Sequence, residues 1–138
     1  MHKHTTYPVL EERINVASHG LGLLLSIVAL LLLIAKGSSV LELVSLTVFA
    51  TSLIALYAAS TVYHVTTSVA RRAWLRTVDH SMIYVLIAGT YTPFTLLVIK
   101  GTTGWTIFGI SWAMAVTGIV IKLYHTGRYD RLSTAMYV

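Results

Sequence analysis

Four long apolar stretches constrain the fold of this chain more than any other feature of its sequence. They cover residues 15–35, 40–63, 81–99 and 105–124, and each approaches or exceeds the roughly 20 residues that a helix needs to cross a bilayer. Short polar segments separate them: "KGSS", "HVTTSVARRAWLRTVD" and "KGTTG". The stretches lack the strict alternation of β-strands, and a barrel strand needs only about 10 residues. The sequence therefore predicts an all-α fold, a polytopic transmembrane helix bundle with four spans in one membrane domain, 1–138.

Composition supports a membrane protein and excludes several other classes. Hydrophobic residues make up 56% of the chain and charged residues only 11%, whereas about a quarter of a soluble domain is charged. The net charge of +5 comes from basic residues in short loops, so it indicates topology and contacts with anionic membrane lipids rather than nucleic acid. The absence of cysteine excludes disulfides and thiolate ligands. The first apolar stretch is too long for a secretory signal and is interpreted as an uncleaved span.

The basic residues also predict an orientation. Two of the ten, Lys36 and Lys100, fall on one side of the predicted membrane, and eight fall on the other. Those eight are Lys3, Arg13, Arg71, Arg72, Arg76, Lys122, Arg128 and Arg131. Because basic loops stay in the cytoplasm, we expect a multi-pass protein of the cell membrane with its N-terminus, its 64–80 loop and its C-terminal tail in the cytoplasm.

Pro93 interrupts the third span. It has no N–H to donate to the carbonyl of Gly89, so the helix is expected to kink or loosen there. The hydroxyls of Thr90 and Thr92 can bond to nearby carbonyls. A packing kink is favoured over a lined cavity, because membrane helices tolerate proline readily.

A group of polar residues gathers at one end of the predicted bundle. Ser60 and His64 are four apart and share one face of the second span. His19 lies near the start of the first span, and Asp79 and His80 directly precede the third. The predicted topology places all five at the cytoplasmic end, where ionisable residues in a membrane protein are usually functional.

Each of these residues also has an ordinary structural interpretation. Asp79 suits the N-cap of the third helix, His64 suits the negative end of the second, and Ser60 can bond back to the carbonyl of Leu56. Chemically, the imidazole of His64 suits Zn²⁺, and Asp79 can hold a metal-bound water or act as a base. Ser60 can stabilise an oxyanion or orient a substrate. The spacing alone leaves these alternatives open.

Several motifs resemble those of the hemolysin III family, the bacterial branch of the progestin and adipoQ receptor superfamily. They are "EERINVASHGLG" (11–22), "ASTVYH" (59–64), "DHSMIYVLIAGTYTPF" (79–94) and the "GW" and "SW" pairs within 104–112. The resemblance covers nearly the whole chain. It implies a seven-helix membrane protein with a zinc site near the cytosolic face.

The resemblance also implies roles for individual residues. His64 corresponds to a direct zinc ligand, and Asp79 to the aspartate that acts through a zinc-bound water. Ser60 belongs to the same Ser-x-x-x-His motif, so Ser60 and Asp79 are the candidate catalytic residues. His19 and His80 are expected to support the ligands. Because related alkaline ceramidases hydrolyse an amide at such a site, the resemblance predicts zinc-dependent hydrolysis of a lipid amide by the full-length form.

Two alternatives to hydrolysis stay open: a hemolysin-like protein that permeabilises membranes, and a non-catalytic regulator of membrane lipids. Membrane lipids are the expected partners, with a homo-oligomer as a further expectation and no protein partner identifiable. The chain ends where the fifth family helix would begin, which predicts a truncated form. The family's His-x-x-x-His pair on the seventh helix is then missing. The zinc site is expected to be incomplete and this chain alone inactive.

Overall fold

A computed structural model describes residues 8–124 of the protein. They form four α-helices, the third of which is extended by a π-helical segment. In chain order these are α1 (Val9–Lys36), α2 (Val40–Val65), α3 (Val69–Pro93), the π segment (Phe94–Ile99) and α4 (Gly101–Tyr124). No strand occurs among these residues, and the four helices are long and apolar enough to cross a membrane. The predicted all-α fold with four helices of spanning length is confirmed.

The start of α3 differs from the prediction. The 64–80 segment was expected to be a loop, but only three residues separate Val65 from Val69, where α3 begins. Asp79 lies ten residues inside α3, and Ser68 occupies the N-cap position. The predicted capping role of Asp79 is therefore wrong.

The early start of α3 has a simple physical cause. A hydropathy profile detects only the apolar part of a helix. The helix itself can extend into flanking polar residues that favour helical structure. The sequence "VARRAWLRTVD" at the start of α3 contains three arginines, two alanines and one leucine, which are strong helix formers. Likewise, α1 and α4 begin at Val9 and Gly101, before the apolar stretches at 15 and 105.

A capping arrangement begins α2 after the tight turn that follows α1. The hydroxyl of Ser39 at the N-cap accepts a hydrogen bond from the backbone N–H of Glu42 at 3.3 Å. The Glu42 carboxylate reaches back and accepts bonds from the backbone N–H of Ser38 at 3.0 Å and its hydroxyl at 2.6 Å. Orphan amides at the helix start are thereby satisfied, and the chain can reverse direction within a few residues.

Within residues 8–124 the helices pack as a row in chain order. Along their backbones, α1 packs on α2, α2 on α3, and α3 on α4, while α1 and α4 do not meet. Short connections make neighbouring helices antiparallel, so the end of α2 and the start of α3 lie beside the start of α1. The row thus brings three helix ends together on one side.

Small residues bring the helices close. A Cβ built on Gly89 of α3 would collide with the side chain of Ser52 on α2, and one on Gly118 of α4 would lie 2.6 Å from the Tyr84 ring on α3. Tyr84 packs in turn with Ala88 and Ala115. Such close approach is how membrane helices gain packing energy without a hydrophobic driving force.

The helix loosens at Pro93, as predicted. The residues after it form the wider π-helical turn, Phe94–Ile99. Thr95 is fully buried, and its hydroxyl donates to the carbonyls of Tyr91 at 2.8 Å and Thr92 at 3.2 Å. Hydroxyl groups thus bond to backbone carbonyls around the proline.

The two threonines named from the sequence also use their hydroxyls. Thr90 donates to the carbonyl of Leu86 and Thr92 to that of Ala88, both at 2.8 Å. The Thr92 hydroxyl additionally accepts a bond of 3.1 Å from the indole N–H of Trp112 on α4. This side chain therefore supports α3 and connects it to α4.

The junction between the π segment and α4 is compact. Lys100 adopts a positive φ of 58° and its backbone N–H bonds to the carbonyl of Thr95 at 2.9 Å. Gly104 packs so closely on that segment that an added Cβ would collide with the Thr95 carbonyl oxygen. The space is blocked by backbone atoms, which cannot rotate away as the end of a flexible side chain could.

Replacing Gly104 with alanine is predicted to lower the free energy of unfolding by about 1–3 kcal/mol, the usual cost of overpacking. Gly109 is the matched control on the same helix, because a Cβ there meets nothing within 4 Å. Gly109→Ala should be neutral or stabilising by up to about 1 kcal/mol. Detergent-induced unfolding in mixed micelles, followed by circular dichroism, measures both. Equal effects of the two substitutions would contradict the packing described for Gly104.

Candidate functional site

Five polar side chains from three helices meet at the end of the row where α1 begins. They are Glu12 and His19 of α1, Ser60 and His64 of α2, and Arg72 of α3. We call these residues the polar cluster. The antiparallel packing of α1 on α2 brings the start of one helix beside the end of the other, which is why residues more than 40 positions apart are in contact.

The Glu12 carboxylate is the centre of the charged part of this cluster. Its Oε2 lies 2.7 Å from Nδ1 of His64, and its Oε1 accepts a hydrogen bond from Nη2 of Arg72. The three side chains are between 8% and 19% exposed. Hydrogen bonds to an ionised group are about twice as strong as bonds between neutral groups. Through these two contacts Glu12 connects α1 to both α2 and α3.

Arg72 is held by further contacts. Its Nη1 donates to the carbonyl of Thr66 at 3.1 Å, at the end of α2. Its guanidinium lies over the ring of Tyr63, 4.8 Å from the ring centroid, a cation–π geometry. Arg72 therefore binds a carboxylate, a helix C-terminal carbonyl and an aromatic face at once.

The second contact of the cluster joins His19 to Ser60. Nδ1 of His19 and the hydroxyl of Ser60 form a hydrogen bond between α1 and α2. Ser60 is only 3% exposed, and it bonds across the helices rather than back to the carbonyl of Leu56. The His19 ring also meets the His64 ring edge to face, with centroids 5.5 Å apart. The two halves of the cluster are thus in direct contact.

Asp79 and His80 lie deeper along α3. Asp79 is seven residues after Arg72, on the same face of the helix, and it interacts electrostatically with His64. His80 is the next residue and is half-buried. The structure thus brings His19, Ser60 and His64 into contact, and places Asp79 within electrostatic range. The other histidines, His2, His4 and His125, lie outside the described residues.

The described residues do not by themselves fit a zinc ion. Within 8–124, no three His, Asp or Glu side chains come together in a way that could hold a metal, and a catalytic zinc site has three protein ligands. The Nδ1 atoms of His19 and His64 are already engaged by Ser60 and Glu12.

Sequence reasoning missed Glu12 and Arg72. A signal for Glu12 was available, because it precedes His19 by seven residues and so lies two turns away on the same helix face. Arg72 was assigned to a loop, where a partner cannot be inferred. Its role became visible only because α3 begins at Val69.

The sequence matches the model of a protein family described as "Haemolysin-III related" over residues 7–138. The chain belongs to the hemolysin III family. It is 45% identical over 135 residues to the Hemolysin-3 homolog of Bacillus subtilis (strain 168), covering 96% of this chain and 63% of that protein. It is 40% identical over 133 residues to Hemolysin-3 of Bacillus cereus, covering 94% of this chain and 61% of the relative.

The chain spans about three-fifths of the length of these curated hemolysin III relatives. No solved structure matches it at a significant level. Family membership and the four apolar helices together indicate a multi-pass membrane protein of the hemolysin III family.

Arg72→Ala is predicted to lower the free energy of unfolding by about 1.5–3 kcal/mol, because it removes hydrogen bonds to a charged partner and leaves Glu12 half paired. Arg71 is a matched control, since it is the preceding residue, has the same charge and is exposed. Arg71→Ala should change stability by less than about 0.5 kcal/mol. Unfolding in mixed micelles compares the two variants. A similar loss in both would show that only general charge matters.

Proposed function

We propose that the polar cluster is part of a site at the cytosolic face at which the full-length hemolysin III protein hydrolyses a lipid amide. The observation that carries this proposal is the pairing of Ser60 and His64 with Glu12 and His19 of another helix. A hydroxyl, two imidazoles and a carboxylate are held together at the end of an otherwise apolar protein. Intramembrane ionisable groups of this kind are costly and usually serve a function.

In this proposal Ser60 and Asp79 are the catalytic residues, and His64 is the one zinc ligand among the described residues. Further ligands must come from outside residues 8–124, because those residues do not complete a metal site. Ser60 is suited to orient the substrate carbonyl, since its hydroxyl is fixed by His19. His19 and His80 support this end of the site.

Membrane permeabilisation is the second candidate, because the names of the relatives include hemolysin. An ion pathway through a helix bundle is commonly lined by charged side chains near the membrane centre. Within 8–124, the apolar stretches 15–35, 43–63, 81–99 and 105–121 contain no aspartate, glutamate, lysine or arginine. This distribution favours a site at one membrane face over a charged pore.

Membrane lipids are the proposed partners. Trp74 is 63% exposed on α3, between the exposed residues Arg71 and Arg76. An exposed indole flanked by arginines suits the interface between headgroups and hydrocarbon. Anionic headgroups would be attracted to this part of α3 by about 1 kcal/mol per basic residue, which would bring lipid close to the polar cluster.

The proposed orientation predicts that both chain ends are cytoplasmic in the cell membrane. Reporter fusions after Val138 should be active in the cytoplasm, and fusions within 36–39 should be active outside it, because eight of the ten basic residues lie on the first side. A fusion after Val138 that reports an external location would contradict the orientation.

The zinc proposal predicts a difference between this chain and a full-length hemolysin III protein with the same polar cluster. Purified side by side, the chain should contain zinc far below one equivalent and the full-length protein about one equivalent, because a catalytic zinc needs about three protein ligands. Elemental analysis measures both. In the full-length protein, replacing the residue at the His64 position with alanine should remove the zinc, and Ser60→Ala should slow amide hydrolysis by roughly 100-fold.

Two results would count against this proposal. Zinc retained after loss of the His64 imidazole would place the metal elsewhere. A full-length protein that lyses vesicles but leaves lipid amides intact would instead support the second candidate.

A further inference from the structure

We propose that Glu12 is a positioning residue that holds His64 in the tautomer with its proton on Nδ1, and that Arg72 keeps Glu12 in place for this task. The inference deepens the proposed function, since it says which nitrogen of His64 faces a ligand or substrate. The contacts of these three side chains, and the different hydrogen-bonding capacities of their atoms, determine which nitrogen carries the proton.

The Glu12 carboxylate gives each of its oxygens a separate partner. Oε1 accepts from Arg72, and Oε2 lies 2.7 Å from Nδ1 of His64. An ionised carboxylate only accepts hydrogen bonds, and a neutral imidazole carries its single proton on one of its two nitrogens. Nδ1 must therefore be the nitrogen that bears the proton. Nε2 of the neutral ring then carries no proton.

Arg72 makes this arrangement directional. Its guanidinium cannot accept a hydrogen bond, so the oxygen that it contacts must be an acceptor. The contacts with the carbonyl of Thr66 and the ring of Tyr63 hold the guanidinium in position. Glu12 consequently cannot turn away from Arg72 without losing a charge-assisted bond, and Oε2 stays directed at His64.

Neighbouring rings limit the orientation of His64 itself. The centroid of its ring lies 4.8 Å from that of Tyr63 and 5.5 Å from that of His19. With Nδ1 bonded to Glu12, any role of His64 as a metal ligand or proton acceptor belongs to Nε2. A carboxylate that accepts a hydrogen bond from the second ring nitrogen of a metal-binding histidine commonly fixes its tautomer in this way.

The inference can be separated from a purely structural ion pair by Glu12→Gln. Glutamine has nearly the same shape but only one acceptor oxygen, and Arg72 must take that oxygen because it can only donate. The amide NH₂ then faces Nδ1 of His64, which has to become the acceptor. The substitution should therefore move the proton of His64 from Nδ1 to Nε2 while preserving the packing.

The test is ¹⁵N NMR of the whole chain, labelled at histidine, in lipid nanodiscs with a chelator and at a pH where an ordinary imidazole is neutral. His64→Asn assigns the signals. We expect Nδ1 of His64 in the chemical-shift range of protonated nitrogens and Nε2 in that of unprotonated ones. Glu12→Gln should exchange the two. Glu11→Gln, with the same charge change at an exposed neighbouring residue, should leave them as in the wild type.

Circular dichroism and gel filtration identify variants that fold as the wild type does, and Glu12→Ala, which should also lose the Nδ1–H preference, provides a second comparison. A wild-type His64 protonated on Nε2, alone or together with Nδ1, overturns the inference. So does a Glu12→Gln variant that folds normally and keeps the wild-type pattern. Because no metal is present, these results are independent of the zinc and hydrolysis experiments, and either proposal can fail alone.

Discussion

The structure depends on the inability of hydrocarbon to hydrogen-bond a peptide group. Every amide in the apolar stretches must find its partner within the protein, and over such lengths only a helix provides one from the same segment. The constraint is also visible where the helix is disturbed. Around Pro93 the chain widens into a π-helical turn instead of unfolding, and Thr92 and Thr95 donate to neighbouring carbonyls.

The hydrocarbon of the bilayer also explains why the charged groups of the polar cluster are paired. A charge near hydrocarbon is expensive unless it is paired, and Glu12 pairs with Arg72 and contacts His64 at low exposure. These contacts join helices whose backbones pack only with their neighbours in the row. Arg72 thus links α3 to α1 through a side chain. The arrangement serves stability, and on our proposal it also presents His64 in a defined state.

The number and approximate positions of the helices were predictable, because the thickness of the bilayer sets the length of the apolar stretch that each helix needs. Helix starts were less predictable, as the 64–80 segment demonstrates. Arginine is costly in hydrocarbon, but arginine and alanine are both good helix formers. The site was predicted in part. The spacing of Ser60 and His64 and the position of His19 were visible in sequence, whereas the pairing of Glu12 with Arg72 depended on the true start of α3.

The sequence by itself determined that the protein is helical, that it has four helices of membrane-spanning length, and that a group of polar residues with two histidines and a serine lies toward one end. These properties follow from local composition and spacing. Only the tertiary structure decided which polar atoms meet: Glu12 with His64 and Arg72, and His19 with Ser60. The physical reason is that such pairs depend on the rotation and register of neighbouring helices, which close contacts such as Gly22 against Tyr57 set across the interface.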